Sequence, residues 1–208
     1  MPRIFITGNG SGIGKAVEQE CLARGWEVDG THKNGERSVD VGNLSYIQAV
    51  FSGWYQGLVN CAGTLDYAEG GAYRELDPFE VFHLNVVVPA QLTELFVTHR
   101  KTRSVVNIGS MWGETGGYGK RWAYAASKAA LHNLTRTQAR MYPQARINCV
   151  APGIIDTPIH SDLAKHGDGH SIQGRIGTAS EVAKVVAFLL SDEASYMTGA
   201  IVPVCGGR

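Results

Sequence analysis

Arg3-Ile-Phe-Ile-Thr7-Gly8-Asn9-Gly10-Ser11-Gly12-Ile13-Gly14 is the stretch that decides the fold. Residues 3–7 are a short apolar run rich in β-formers and predict a buried strand. The run enters glycines at 8, 10, 12 and 14 and continues into Lys15–Arg24, where Ala16, Val17, Cys21 and Leu22 predict a helix. A strand, a glycine turn and a helix together bring bare backbone N–H groups and a helix N-terminus to a pyrophosphate. The glycines permit the tight turn and let the phosphate approach with no Cβ in the way. Gly8, Asn9, Gly10, Ser11, Gly12, Ile13 and Gly14 are therefore candidate cofactor-binding residues. The competing reading is a plain flexible turn; the strand before it and a second strand-like run after the helix argue for the phosphate site.

Outward from that loop the chain alternates strand and helix. Trp26–Thr31 reads as the second strand, Arg37–Asp40 as a very short third, and about Asn43 to Gly53 as a helix. Gly57–Asn60 is the next strand and leads into Asn60-Cys61-Ala62-Gly63. Asp77-Pro78 opens a long helix to about Arg100, with proline in its first turn. Ser104–Ile108 is a strand ending at Gly109-Ser110, and Trp122–Tyr142 is a helix. Arg146–Val150 is a strand ending at Ala151-Pro152-Gly153; a helix from Ala179 to about Leu190 and a strand at Ala200–Val204 close the chain. The alternation predicts an α/β fold: a single doubly wound parallel-sheet Rossmann domain over residues 1–208, with about seven strands and helices on both faces. Such sheets bind ligands at the carboxyl ends of their strands, where Gly8, Asn60, Ser110 and Pro152 all fall.

Tyr124-Ala-Ala-Ser-Lys128 stands fourteen residues after Ser110. A phenol and an ammonium four positions apart on a helix share a face. A free tyrosine, with a pKa of about 10, exchanges protons poorly near neutrality. A fixed cation favours the phenolate, and acid–base catalysis works best when the pKa lies near the working pH. Taken alone such a pair is usually structural; here it follows a phosphate loop.

Composition fits one enzyme domain. The 208 residues carry zero formal net charge, so nothing points to capture of nucleic acid or an anionic membrane. The basic run His99-Arg100-Lys101-Thr102-Arg103 reads as a helix C-terminus, where cations suit the dipole. No continuous apolar run reaches the roughly 18 residues of a membrane span, and no basic-then-apolar leader precedes the first strand. Cys21, Cys61, Cys149 and Cys205 lack Cys-x-x-Cys spacing and read as small apolar residues in a reducing compartment. A cytoplasmic protein is expected, without a disulfide framework.

Thr7-Gly8-x-x-x-Gly12-Ile13-Gly14, Asn60-Cys61-Ala62-Gly63, Asn85, Ser110, Tyr124-x-x-x-Lys128 and Pro152-Gly153 occur in one order, and together they resemble the short-chain dehydrogenase/reductase family from Ile4 to Gly207. The resemblance implies an NAD(P)H-dependent oxidoreductase acting on a ketone/secondary alcohol pair. Tyr124 would be the general acid/base, Ser110 would hydrogen-bond the reacting oxygen, and Lys128 would tune Tyr124 and hold the nicotinamide ribose. Asn85 would organise a proton-relay water. Asp40 and Val41 would meet adenine, and Asn60, Ala62, Gly63, Pro152, Gly153, Ile155 and Thr157 would line the cofactor. The family's acidic residue after the second strand is replaced here by Thr31-His32-Lys33-Asn34. His32 and Lys33 favour NADP(H), with NAD(H) the alternative; Ser11, and Asp29 if the strand register is shifted, weigh the other way. Met111 and Trp112 are candidate pocket walls. The family also implies a homodimer or homotetramer.

The chain departs from the family in three places. The segment between the second strand and Asp40 is short, Cys61 replaces a common asparagine, and Arg175 follows Thr157 after only seventeen residues. A brief lid suggests an open pocket. His160, His166 and His170 lie in it with Asp162 and Asp168, and read as a polar loop rather than a metal site. Three other functions remain open. A 3-oxoacyl-thioester reductase and a non-catalytic dinucleotide sensor both fit the resemblance. A Ser/Lys hydrolase is conceivable but leaves the phosphate loop without a role.

Overall fold

The computed structural model describes residues 1–31, 41, 43–50, 53–65, 77–117, 121–158 and 171–208. Among them the strands are β1 (Arg3–Thr7), β2 (Glu27–Thr31), β3 (Gly57–Asn60), β4 (Ser104–Ile108), β5 (Arg146–Pro152), β6 (Ile155–Asp156), β7 (Gly177–Thr178) and β8 (Ile201–Val204). Six form one sheet in the order β2-β1-β3-β4-β5-β8, every neighbouring pair parallel. The expected seventh strand, 37–40, lies outside the described residues. β6 and β7 make a separate parallel pair, absent from the sequence expectation because two-residue strands carry no periodicity to read.

The helices are α1 (Gly12–Ala23), α2 (Leu44–Val50), α3 (Pro78–Phe82), α4 (Val88–His99), α5 (Trp112–Thr115), α6 (Trp122–Met141) and α7 (Ala179–Leu190). Strand alternation sends successive side chains to opposite faces. Ile4, Ile6, Val59 and Val106 pack with Val17 and Cys21 of α1 and with Val182, Val186 and Leu189 of α7. Phe5, Leu58 and Val105 pack on the other face with Ile47 of α2 and Val88, Leu92 and Phe96 of α4. Strands buried on both faces read as unbroken apolar runs, which is why they were legible.

The helix expected from Asp77 to about Arg100 is interrupted. His83–Val87 is a π-helical segment between α3 and α4. Pro89, four residues after Asn85, has no N–H to return to the Asn85 carbonyl, so the regular ladder cannot close there. By length and composition alone Pro78–His99 would pass for a membrane span, with a mean hydropathy of 1.3. Its buried face instead covers the sheet.

The chain passes from β1 to β2 on one side and then to β3 on the other. The carboxyl ends of β1 and β3 therefore part into a crevice, the usual ligand position in such sheets. Midway along β2, Asp29 accepts from Nε of Arg3, the first residue of β1, at 2.8 Å and from Tyr55 Oη at 3.0 Å. Asp29 is thereby committed away from the crevice.

Candidate active site

The glycine loop folds over the end of β2: the N–H groups of Gly8 and Asn9 donate to the Thr31 carbonyl at 2.7 and 3.2 Å. A Cβ at Gly14 would stand 2.2 Å from the Gly8 carbonyl oxygen, so only glycine lets α1 start this close. Helix α1 accordingly begins at Gly12, inside the motif, rather than at the expected Lys15. The Thr7 hydroxyl accepts from the N–H groups of Cys61 and Ala62, both at 3.0 Å, and so fastens the loop after β3 to the loop after β1. Asn9 Nδ2 donates to Glu18 Oε1 at 3.0 Å. Asn9 Oδ1 and the Thr31 hydroxyl are buried without hydrogen-bond partners. Orphaned buried polar atoms beside a glycine cradle and a helix N-terminus fit a dinucleotide.

Tyr124 and Lys128 sit one turn apart on α6, 8% and 6% exposed. Lys128 Nζ lies 5.6 Å from the centre of the Tyr124 ring and donates to the Ile108 carbonyl at 2.8 Å. Burial pushes the Lys128 ammonium down to about 8, with Cys149 and Cys61 opposing. Ser110 leaves β4 at the same end of the sheet, its Oγ accepting from the Trp112 N–H at 3.2 Å. Trp112 presents an edge to Tyr124, ring centres 6.0 Å apart. Ser110, Met111, Trp112 and Tyr124 line a small hollow together with Pro152–Ile154 and Arg208.

Asn85, 1% exposed, clamps two elements. Its Oδ1 accepts from the Thr64 N–H, and its Nδ2 donates to the Thr64 carbonyl and to Ser127 Oγ, all at 3.0 Å. Ser127 in turn donates to the Tyr124 carbonyl at 2.8 Å. A Cβ on Gly63 would stand 3.1 Å from Asn85 Oδ1 and 3.5 Å from Lys128 Nζ, so the loop after β3 passes directly over the catalytic candidates.

The structure thus gathers Asn85, Ser110, Tyr124 and Lys128 around the crevice, with Met111 and Trp112 as cavity walls. Four expected cofactor residues sit differently. The Asn60 side chain turns inward and donates to Thr93 Oγ1 and Asn107 Oδ1, leaving only its backbone for the crevice. Val41 and Ile155 bury their side chains in the core, 8% and 2% exposed, because each continues an apolar layer. Thr157 is 7% exposed and turns its hydroxyl back to the Ile155 carbonyl at 3.2 Å. It nonetheless borders the glycine loop, 3.4 Å from where a Gly12 Cβ would be. His32, Lys33, Asp40 and the residues 160–170 lie outside the described residues. Reading the sequence missed Thr7 as a hub, Ser127 as the partner of Asn85, and Arg208 in the cavity wall. Thr7 stood inside the quoted motif and Ser127 inside Tyr124-x-x-x-Lys128; Arg208, far along the chain, gave no signal.

A family model described as enoyl-(acyl carrier protein) reductase matches residues 39–208. The 3-oxoacyl-[acyl-carrier-protein] reductase MabA of Mycobacterium bovis is 33% identical over 98% of this chain and 91% of its own length. A solved short chain dehydrogenase/reductase family protein superposes with a TM-score of 0.86 at 28% identity, covering 99% of this chain and 96% of that one. The chain belongs to the short-chain dehydrogenase/reductase family. It is an oxidoreductase acting on CH–OH groups with a nicotinamide cofactor. A 4-hydroxyisoleucine dehydrogenase solved with NADH is also similar, with a TM-score of 0.85 at 25% identity over 100% of this short-chain dehydrogenase/reductase and 98% of that chain.

Proposed function

We propose that this short-chain dehydrogenase/reductase interconverts a ketone and a secondary alcohol with NADP(H), and that Tyr124 is its general acid/base. The observation that carries the reading is the buried Lys128 ammonium, 5.6 Å from the Tyr124 ring centre, beside a cavity that Ser110 also lines. The glycine loop and the backbone around Asn60–Gly63 would hold the cofactor, which supplies or removes the hydride. In reduction Tyr124 gives its phenolic proton to the carbonyl oxygen, and in oxidation it takes the proton back. Ser110 donates a hydrogen bond to the same oxygen as negative charge builds on it. Lys128 stabilises the phenolate left after proton transfer. Asn85, at the π-helical break, would organise the water that returns the proton from solvent.

NADP(H) is preferred over NAD(H) on two grounds. Asp29, the acid nearest the end of β2 among the described residues, is held by Arg3 and Tyr55. The residues that follow Thr31 are His32 and Lys33, an imidazole and an ammonium suited to a 2′-phosphate. Exposed Phe79, Val87 and Trp122, at 83%, 41% and 61%, support a homo-oligomer built on the α3–α4 and α6 surfaces, in the cytoplasm. A second reading, reduction of a 3-oxoacyl thioester, is favoured by the name of the M. bovis relative. Side-by-side NADPH and NADH affinities, followed by turnover of simple ketones and of an acetoacetyl thioester, decide between them. Turnover confined to the thioester supports the second reading, and tighter NADH binding overturns the cofactor assignment.

A further inference from the structure

We propose that His132 is a positioning residue for this reaction: its uncharged imidazole, wedged under Gly109 and Gly113, holds the turn that carries Ser110 against the Tyr124 helix, and taking up a proton releases that turn. The proposal rests on the oxidoreductase reading above.

His132 lies one helical turn beyond Lys128 and two beyond Tyr124 on α6, so the three side chains share a face. It is 2% exposed. A Cβ on Gly109 would stand 2.4 Å from its Nε2, and a Cβ on Gly113 would stand 2.8 Å from its Cε1. Only two bare positions, one on each side of Ser110-Met111-Trp112, let the ring lie against this backbone. Lys128 holds the Ile108 carbonyl, so Lys128 and His132 grip consecutive residues immediately before Ser110. The backbone bonds of the turn run elsewhere: Gly109 N–H to Val150 O, Met111 N–H to Pro152 O and Gly113 N–H to Ser110 O. They tie the turn to β5 and to itself, and side chains tie it to α6.

Packing alone would favour an apolar side chain here. The Nε2 of His132 is buried without a hydrogen-bond partner. Its Nδ1 stands 3.9 Å from Glu114 Oε1, beyond hydrogen-bond reach. An unpaired buried nitrogen costs stability that leucine would not lose. What imidazole adds is the capacity to take a proton. The charged or titratable groups around it are Glu114 on α5, Lys128 and Arg136 on α6, and Cys149 on β5, whose Sγ stands 2.7 Å from the same Gly109 position. A proton on His132 would bury a second cation one turn from Lys128, opposed only by a carboxylate whose side chain is 45% exposed. Burial therefore holds the ring below its ordinary 6.5, with Glu114 resisting and Lys128 and Arg136 pressing further down. With the folded value below the unfolded one, the turn is secure above 6.5 and weakens as pH falls through the folded value.

The test compares wild type with His132→Leu, similar in size but unable to titrate, and with His132→Ala, which leaves a hollow. Turnover of a ketone with NADPH is followed between about pH 5 and pH 8. His132→Leu should keep near-wild-type kcat at neutrality and lose the acid-side decline. His132→Ala should lose about tenfold or more in kcat at every pH with NADPH affinity unchanged, because a misplacement of about 1 Å can cost about 100-fold. An unaltered acid limb in His132→Leu, or full kcat in His132→Ala, overturns the proposal. Hydrogen exchange over residues 109–115 supplies a readout free of turnover. On the acid side wild type should lose protection relative to His132→Leu, and equal protection overturns the proposal. If His132→Leu does not fold, His132→Asn takes its place in both measurements. If wild type reduces neither a ketone nor the acetoacetyl thioester, the proposed function fails and the exchange comparison alone decides the role of His132.

Discussion

Lys128 Nζ donates to the carbonyl oxygen of Ile108 at 2.8 Å, so the ammonium beside Tyr124 is tethered to the strand that delivers Ser110. One side chain thereby sets the charge on one catalytic candidate and the place of another. The arrangement is expensive. A cation buried to 6% exposure, with a pKa brought from 10.5 to about 8, is carried for function rather than for stability.

Lys128→Met should expose that cost. At neutral pH, removing the buried charge should recover on the order of 3 kcal/mol before the loss of the Ile108 hydrogen bond, which returns about 1 kcal/mol of it. The melting temperature should rise by roughly 4–8 °C, at about 2–4 °C per kcal/mol for a chain of this size. Turnover should fall at least about 100-fold, since acid–base catalysis contributes about that much. A melting temperature that drops instead would show that Lys128 is part of what holds the fold.

Tyr124→Phe removes one oxygen and leaves the ring to meet the Trp112 edge 6.0 Å away. Stability and NADPH affinity should stay near wild type, while ketone reduction should fall by about 100-fold or more. Steady-state kinetics beside a fluorescence titration separates the two. Retained turnover would take the tyrosine out of the mechanism.

The alkaline side is governed by Lys128. Below about 8 it is charged and supports the phenolate; above that value the support is lost, so kcat/KM should decline through this region. Stability moves the other way. The unfolded lysine holds its proton to 10.5, so the folded protein gains on the unfolded one between about 8 and 10.5. Parallel pH profiles of activity and melting temperature should therefore cross, and two profiles falling together would remove Lys128 as the common cause.

What the sequence shows plainly is local. The β1–loop–α1 unit and the Tyr124/Lys128 pair need only short-range patterns, and both lie where those patterns place them. Long-range partners were not legible. Asn60 looks like a loop ligand until β4 and α4 bring Asn107 and Thr93 to its amide. Asp29 could have faced the ribose until the register Phe5↔Asp29 set it midway along β2, two residues on from the level of Arg3, whose guanidinium claims it. His132 reads as one more polar residue on a long helix, because its burial depends on two glycines some twenty residues upstream.

The proposed preference for NADP(H) gives Lys33 a test. Lys33→Ala should weaken NADPH by about tenfold and NADH hardly at all, since a charge-assisted bond to phosphate is worth about 1.5–3 kcal/mol. Fluorescence titrations with both nucleotides supply the measurement. Equal losses for the two would place the 2′-phosphate elsewhere.

Asn85→Ala tests the clamp between the loop after β3 and α6. The substitution leaves the Thr64 N–H, the Thr64 carbonyl and Ser127 Oγ each short of a partner. Each unpaired buried group costs about 1–3 kcal/mol, so a loss of about 3 kcal/mol and roughly 6–12 °C in melting temperature should follow. Ser127→Ala gives up one of those bonds and should cost about 1 kcal/mol. The double variant should fall short of the sum, because Asn85 and Ser127 share a bond and contacting residues couple by about 0.5–3 kcal/mol. Strict additivity would mean that the two residues act separately, and that the path Thr64–Asn85–Ser127–Tyr124 is a set of contacts rather than one support for the catalytic helix.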